Sequence, residues 1–212
     1  MIVSITPELG VEFLRNYGGG LGVLEGDKFY AAARLGVPYT VITLFYPEGY
    51  VKYVEEDGDL TPTAEVNPLE KLVKVDSAEV TVRGDKVAVS YYAYKANTAT
   101  AVFVKVDGPE WAAKAAKRLY VEDSAEERFY KYVILARAAV EYIERHIGWD
   151  KVKYLDLQEA YTVFVPLIKR HPKTRLVIHT PAPWGHPTFE QKFFKEEFGF
   201  DFAMNPVVTT EL

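Results

Sequence analysis

A strand, a glycine-rich loop, a helix and a second strand succeed one another in the first 45 residues, and this order constrains the fold more tightly than any other feature. Residues 2–5 are a short apolar run, and residues 16–27 read Asn-Tyr-Gly-Gly-Gly-Leu-Gly-Val-Leu-Glu-Gly-Asp. Residues 28–36 carry good helix formers and end on a glycine stop, Gly36. Residues 39–45 are almost continuously apolar, as expected of a strand covered on both faces in a parallel sheet. Glycines without a Cβ let the backbone approach a ligand closely, and the amides that open a helix favour an anion. A tight turn that merely packs helix on strand uses the same residues, and both readings stay open here. The loop lacks the lysine–serine/threonine ending of a nucleoside-triphosphate loop, so a phosphate or a sugar hydroxyl is the expected guest.

Beyond residue 45, Tyr46-Pro47-Glu48-Gly49-Tyr50 reads as a turn at the carboxyl end of the second strand, the edge where ligands sit in open α/β sheets. From about 51 to 107 the chain becomes β-rich, with a hairpin turn expected at residues 83–86. Ser124 followed by Glu127 fits a capping box, and apolar residues recur at helical spacing from Phe129 to Ile143, with Gly148 as the stop. A strand over 152–157, a helix over 159–170, a strand over 175–179 and a helix over 189–198 complete the pattern. Alternating strands and helices imply βαβ units. The expected fold is therefore α/β: a Rossmann-like, mostly parallel sheet flanked by helices, with an antiparallel β insertion at about 51–107, all within one domain over 1–212.

Composition narrows the function by exclusion. The chain has no cysteine, so disulfides, thiolate nucleophiles and cysteine metal sites are excluded. A net charge of −5 makes no electrostatic case for nucleic acid or an anionic membrane. No apolar run approaches the roughly 20 residues that span a bilayer, and the first residues lack a signal-peptide pattern; a cytoplasmic protein is expected. The four histidines lack ligand spacing, so no metal site is expected. Glu55, Glu56 and Asp57 read as a solvated turn, and His146 and His171 as solvated side chains. Many tyrosines and charges without cysteine suit a thermophile.

Three stretches, in order, resemble the amino-terminal domain of the α-glucan (glycogen/maltodextrin) phosphorylases. The first runs from Glu8-Leu9-Gly10 through Tyr17-Gly18-Gly19-Gly20-Leu21-Gly22-Val23-Leu24-Glu25-Gly26-Asp27 and Leu35-Gly36-Val37-Pro38 to Gly49-Tyr50. The second is Leu119-Tyr120 with Arg128. The third is His179-Thr180-Pro181-Ala182-Pro183-Trp184-Gly185-His186, similar to the family's H-T-P-V-P-A-G-H. The resemblance implies the amino-terminal half of a GT-B glycosyltransferase, with the active site in a cleft between two Rossmann-like halves. It implies that the glycine loop faces a substrate phosphate and that His179 meets the glucosyl unit. The family moves glucose from an α-1,4-glucan to phosphate, and its pyridoxal phosphate is anchored in a carboxy-terminal half that these 212 residues do not contain. Asp156 and Tyr161 stand where the family has histidines, while Glu159 stays.

The substrate-binding residues so implied are Gly19, Gly20, Leu21, His179, Thr180, His186 and Glu159, with Glu8 ordering the glycine loop by accepting backbone amides. Trp184 is a candidate sugar platform. No catalytic residue is expected to act in this chain alone and no cofactor is expected in it. The first expectation is a phosphorylase-like domain that binds α-1,4-glucan or glucose phosphate and needs a carboxy-terminal partner, which brings the pyridoxal phosphate. The alternatives are a non-catalytic sugar- or sugar-phosphate-binding regulatory protein and a glycogen-synthase-like subunit. An exposed apolar strip around Tyr46, Tyr50 and Trp184 is expected to meet the partner, or a second copy of the chain.

Overall fold

The computed structural model describes residues 1–180 and 186–199. Its central strand β2 (Tyr39–Leu44) is buried along all six residues. It pairs in parallel with β1 (Ile2–Ile5) on one side and with β7 (Ala99–Gly108) on the other. Beyond β1 come β8 (Tyr154–Gln158) and β9 (Thr174–Val177), also parallel. Beyond β7 come β6 (Asp85–Ala96) and β5 (Val73–Val82), both antiparallel. The order is β5-β6-β7-β2-β1-β8-β9. The β-rich segment thus shares the main sheet, because β7 bonds directly to the parallel core. Only β3 (Lys52–Glu56) and β4 (Asp59–Thr63) form a sheet of their own. Arg83 and Gly84 join β5 to β6 with φ of 46° and 80°, the mirror-image turn that matches strand twist.

Successive residues of a strand face opposite sides, and β2 shows what that does here. Ile42 and Leu44 enter a core under α2 (Glu110–Ala115) and α3 (Ala125–Tyr142), while Val41 and Phe45 enter another with Phe29 of α1 (Gly20–Leu35). Ser124 caps α3 by accepting from Glu127 N, and Glu127 Oε2 reaches back one residue further, to Asp123 N. α3 continues into a π turn, Ile143–Ile147, before Gly148. α5 (Gln191–Phe198) is held through Phe193, Phe194 and Phe198, whose rings lie 4.9–6.4 Å from that of Phe129.

Several expectations are corrected. α1 begins inside the glycine run, at Gly20. The helix expected over 159–170 is a 3₁₀ turn, Ala160–Thr162, and the five-residue α4 (Phe164–Ile168). A continuous helix would place Pro166 in its interior, where the ring meets the carbonyl four residues back. Tyr46 is not on an exposed strip: it is fully buried, its hydroxyl donating to Pro7 O at 2.6 Å. Tyr50 is half-buried, and Trp184 lies outside the described residues. Nor are the two histidines simply solvated. His146 Nε2 meets Asp76 Oδ2 at 2.9 Å and His171 Nε2 meets Val152 O at 3.0 Å. Among the described residues no helix is long and apolar enough to cross a membrane, and no side-chain cluster is suited to hold a metal ion.

Candidate functional site

β1 and β8 are neighbours in register, Ile5 opposite Leu157, so the loops that follow them leave the same edge of the sheet side by side. The loop after β1 is held by Glu8, a buried residue. Its Oε2 accepts from Gly18 N at 2.5 Å and Gly19 N at 3.2 Å, and its Oε1 accepts from the Tyr120 hydroxyl at 2.9 Å. A Cβ on Gly22 would lie 2.3 Å from Tyr17 Cβ, and one on Gly26 would lie 2.2 Å from Gly10 O. Those two glycines let helix and loop touch. A Cβ on Gly19 or Gly20 would meet nothing within 4 Å. The packing role and the ligand role of the glycine run therefore fall on different residues.

With the Gly19 amide taken by Glu8, what the start of α1 exposes is the set of donors that follows it. α1 has no side-chain cap and no acidic residue in its first turn. Its first backbone bond is Val23 N to Gly19 O, which leaves Gly20 and Leu21 among the amides without a helical acceptor. The partial positive charge of a 16-residue helix converges on the same point.

The loop after β8 has the opposite polarity. Glu159, 5% exposed, takes a left-handed φ of 65°, a conformation costing roughly 1–3 kcal/mol for a residue with a side chain. Its Oε1 accepts from His179 N at 2.7 Å and Thr180 N at 3.0 Å, while its buried Oε2 has no hydrogen-bond partner among the described residues. His179 Nε2 lies 2.9 Å from Gln158 Oε1, and Gln158 Nε2 donates to Ser4 Oγ at 3.3 Å. In that network Nε2 carries the proton and Nδ1 remains as an acceptor. This turn therefore offers acceptors where the glycine loop offers donors.

Tyrosines join the two loops. The ring of Tyr161 lies 6.0 Å from that of Tyr120 and 4.4 Å from that of Tyr132. Burial pushes the Tyr120 phenol well above its ordinary range, and the nearby Glu8 adds to the rise. Asp156 accepts from Arg175 Nε at 2.6 Å and Nη2 at 2.8 Å, a two-pronged pair that turns its side chain to structural use. Tyr120 was not legible as a site residue: its left-handed φ of 56° turns the phenol towards Glu8, and no local signal encodes that turn. Lys131 was missed too. It is fully buried, with Nζ bonded to Arg118 O and 2.8 Å from Glu122 Oε1, and burial lowers its pKa against the pull of Glu122. His186 is described, but no described contact brings it to this group. Residues 181–185, with Trp184, lie outside the described residues.

No protein-family model matches the chain. It is 26% identical over 237 residues to a glycogen phosphorylase of Aquifex aeolicus, an alignment covering 94% of this chain and 34% of that protein. A maltodextrin phosphorylase of Thermococcus litoralis is 37% identical over 76 residues, 34% of this chain and 9% of that one. Among solved structures, the catalytic domain of starch synthase IV from Arabidopsis thaliana, bound to ADP and acarbose, superposes with a TM-score of 0.65. That likeness covers 96% of this chain and 38% of the synthase at 17% identity, and it is a likeness of fold. The chain is a phosphorylase-like domain of the GT-B type. It spans about a third of the length of the Aquifex relative. In the phosphorylase-like domain the glycine loop and the His179 turn stand together at the carboxyl edge of the parallel strands, where α/β sheets place their ligands.

Proposed function

We propose that this domain binds a glucosyl phosphate or the end of an α-1,4-glucan, as one wall of a phosphorylase-type cleft. The observation that carries the reading is the polarity of two neighbouring loops. Unpaired amides at the start of α1 suit phosphate oxygens, and the acceptor His179 Nδ1, in a turn held by Glu159, suits a sugar hydroxyl. A phosphate has no protons to give at neutral pH beyond a fraction of one, so it is poorly matched to the second loop; a sugar hydroxyl donates to it readily. The names of the phosphorylase relatives support the same substrate class.

The chemistry would be completed by a second polypeptide or domain carrying pyridoxal phosphate, which supplies a phosphate group to phosphorolysis. Lys131, buried among the described residues, does not fit as its anchor, since its Nζ is enclosed and committed to Glu122 and Arg118 O. Mixing the domain with a pyridoxal-phosphate-bearing phosphorylase half should release glucose 1-phosphate from maltodextrin and phosphate. Binding is tested separately, by NMR titration with glucose 1-phosphate. Shifts at Gly19, Gly20 and His179 are expected, and shifts at none of them would end the proposal.

A second reading has an observation of its own. Asp156 and Tyr161, at the positions where the family has histidines, are tied into an Arg175 pair and a tyrosine stack. That arrangement favours binding without turnover, in a regulatory or sugar-sensing role. Glucose 1-phosphate binding with no product from any phosphorylase half would select it. Preferential binding of ADP-glucose or UDP-glucose would instead select a synthase-like subunit.

A further inference from the structure

At the amino ends of β8 and β9, on the edge of the sheet opposite the glycine loop, lies a cavity of about 530 Å³ lined by Trp149, Lys151, Lys153, Arg170, His171 and Lys173. Its volume falls within the ~300–1,000 Å³ typical of small-ligand sites. We propose that it binds a compact polyanion of two or more linked phosphates, such as a short inorganic polyphosphate. The five residues of β8, at roughly 3.3 Å each, separate it from the His179 turn. It is a site of its own and does not rest on the functional reading above.

Two segments of chain make the walls, and the fold holds them together. Lys153 N donates to Met1 O at 2.8 Å and Leu155 N to Lys173 O at 3.1 Å, which sets the entries of β8 and β9 side by side. His171 bridges the two segments: its Nε2 donates to Val152 O at 3.0 Å and its Nδ1 accepts from Lys173 N at 3.3 Å. The ring of Trp149 lies 6.1 Å from that of His171 and adds an apolar surface to the cavity. The walls therefore stand without a ligand.

The charges on these walls are nearly all of one sign. Lys151, Lys153, Arg170 and Lys173 line the cavity, and Lys169 stands beside it with Nζ 5.8 Å from the centre of the Trp149 ring. Among the described residues none of the five forms an ion pair with a carboxylate. Lys153 and Lys173 share one ring, their Nζ atoms 5.7 and 5.8 Å from the centre of Tyr154. Arg175 joins them there at 4.6 Å, but Asp156 matches its charge, and nothing described matches theirs. Asp150 is the one carboxylate among the described lining residues, and its Oδ1 is turned to Gly148, where a Cβ would lie 2.7 Å from it. In a chain of net charge −5, this local excess of cations is what an anion relieves.

Reach and size narrow the guest further. Lys151 and Lys153 stand on one wall and Arg170 and Lys173 on the other, so a molecule charged at both ends engages both. A guanidinium takes two phosphate oxygens at once, and the lysines act as point charges. A long polyanion such as a nucleic acid would run on from the cavity over a surface whose net charge repels it.

The test is calorimetry and NMR on the full chain at low salt, with tripolyphosphate, orthophosphate and citrate as probes. Tripolyphosphate should bind about tenfold more tightly than either of the others and shift the Trp149 indole N–H and the His171 ring signals. Its affinity should fall about tenfold in the double variant Lys153→Gln, Lys173→Gln. It should stay within about twofold in Lys153→Arg, Lys173→Arg, where both charges remain. Both lysines are exposed, and amide spectra check that each variant is folded. Citrate or orthophosphate binding as tightly as tripolyphosphate would overturn linked phosphates as the guest. Tripolyphosphate shifts confined to Gly20 and Leu21, or an affinity unchanged in the glutamine variant, would overturn the site.

Discussion

Glu8 and Glu159 do the same job after neighbouring strands and do it to different degrees. Each is buried, and each accepts two backbone amides, Glu8 from further along its own loop and Glu159 from the segment after β9. Glu8 is complete: Tyr120 satisfies its second oxygen. Among the described residues Glu159 keeps one buried oxygen without a partner, and it sits at a left-handed φ. A buried acceptor left unpaired costs about 1–3 kcal/mol. The contrast separates a joint that serves the fold from one that holds strain and an open valence at a ligand edge, which is where strained residues tend to be found.

The most severe way to break the comparison is Glu8→Ala. It orphans two amides and a phenol together, and it should lower the unfolding free energy by about 3 kcal/mol in urea titrations. Alkaline pH should then divide the two joints. Burial, and next Glu8, hold the Tyr120 phenol above its ordinary 10.0, so the native state keeps a proton that the unfolded chain loses. Stability linked to Tyr120 is full below pH 10.0 and falls as the pH rises above it. The buried Tyr46 and Tyr132 act in the same sense. Hydrogen exchange should show Gly18 and Gly19 losing protection there before His179 and Thr180. Simultaneous loss would mean that the joints are not independent.

Tyr120→Phe removes one bond from the Glu8 joint and should cost about 1 kcal/mol, measured by chemical denaturation. The smallest effect on stability is expected from Glu159→Gln, within about 1 kcal/mol of the wild type. Its side-chain oxygen can still accept from His179 and Thr180, and its NH₂ takes the place of the oxygen that had no partner. Glucose 1-phosphate binding should weaken all the same, because a neutral amide holds the His179 and Thr180 amides less firmly than a carboxylate does. If Glu159→Gln proved as destabilising as Glu8→Ala, the two joints would be alike and the contrast would fail.

Much of this arrangement was legible from residue types, and the exceptions share a cause. The apolar run of β2, the Ser124 cap and the Arg83–Gly84 turn are local signals, and each lies where its chemistry puts it. The glycine run could be read as a loop before a helix, but not divided into packing and open positions. That division depends on Gly10, Tyr17 and Glu8 closing around it. Tyr46 reads as part of a surface turn and is buried because Pro7 and Lys131 come to it from distant segments. The left-handed turns at Tyr120 and Glu159 are imposed by the partners their side chains reach, since neither residue favours that conformation by itself.

The position of β1 has a consequence for the order of folding. This strand of four residues lies between β2 and β8, and its partners in β8 are some 150 residues further along the chain. At roughly 5–20 residues per second, β8 leaves the ribosome on the order of ten seconds after β1. Until then β1 has one free edge, and the loops on Glu8 and Glu159 cannot be brought side by side. Closing so long a loop is entropically slow to reward, so the donor and acceptor loops are expected to meet as one of the last events of folding.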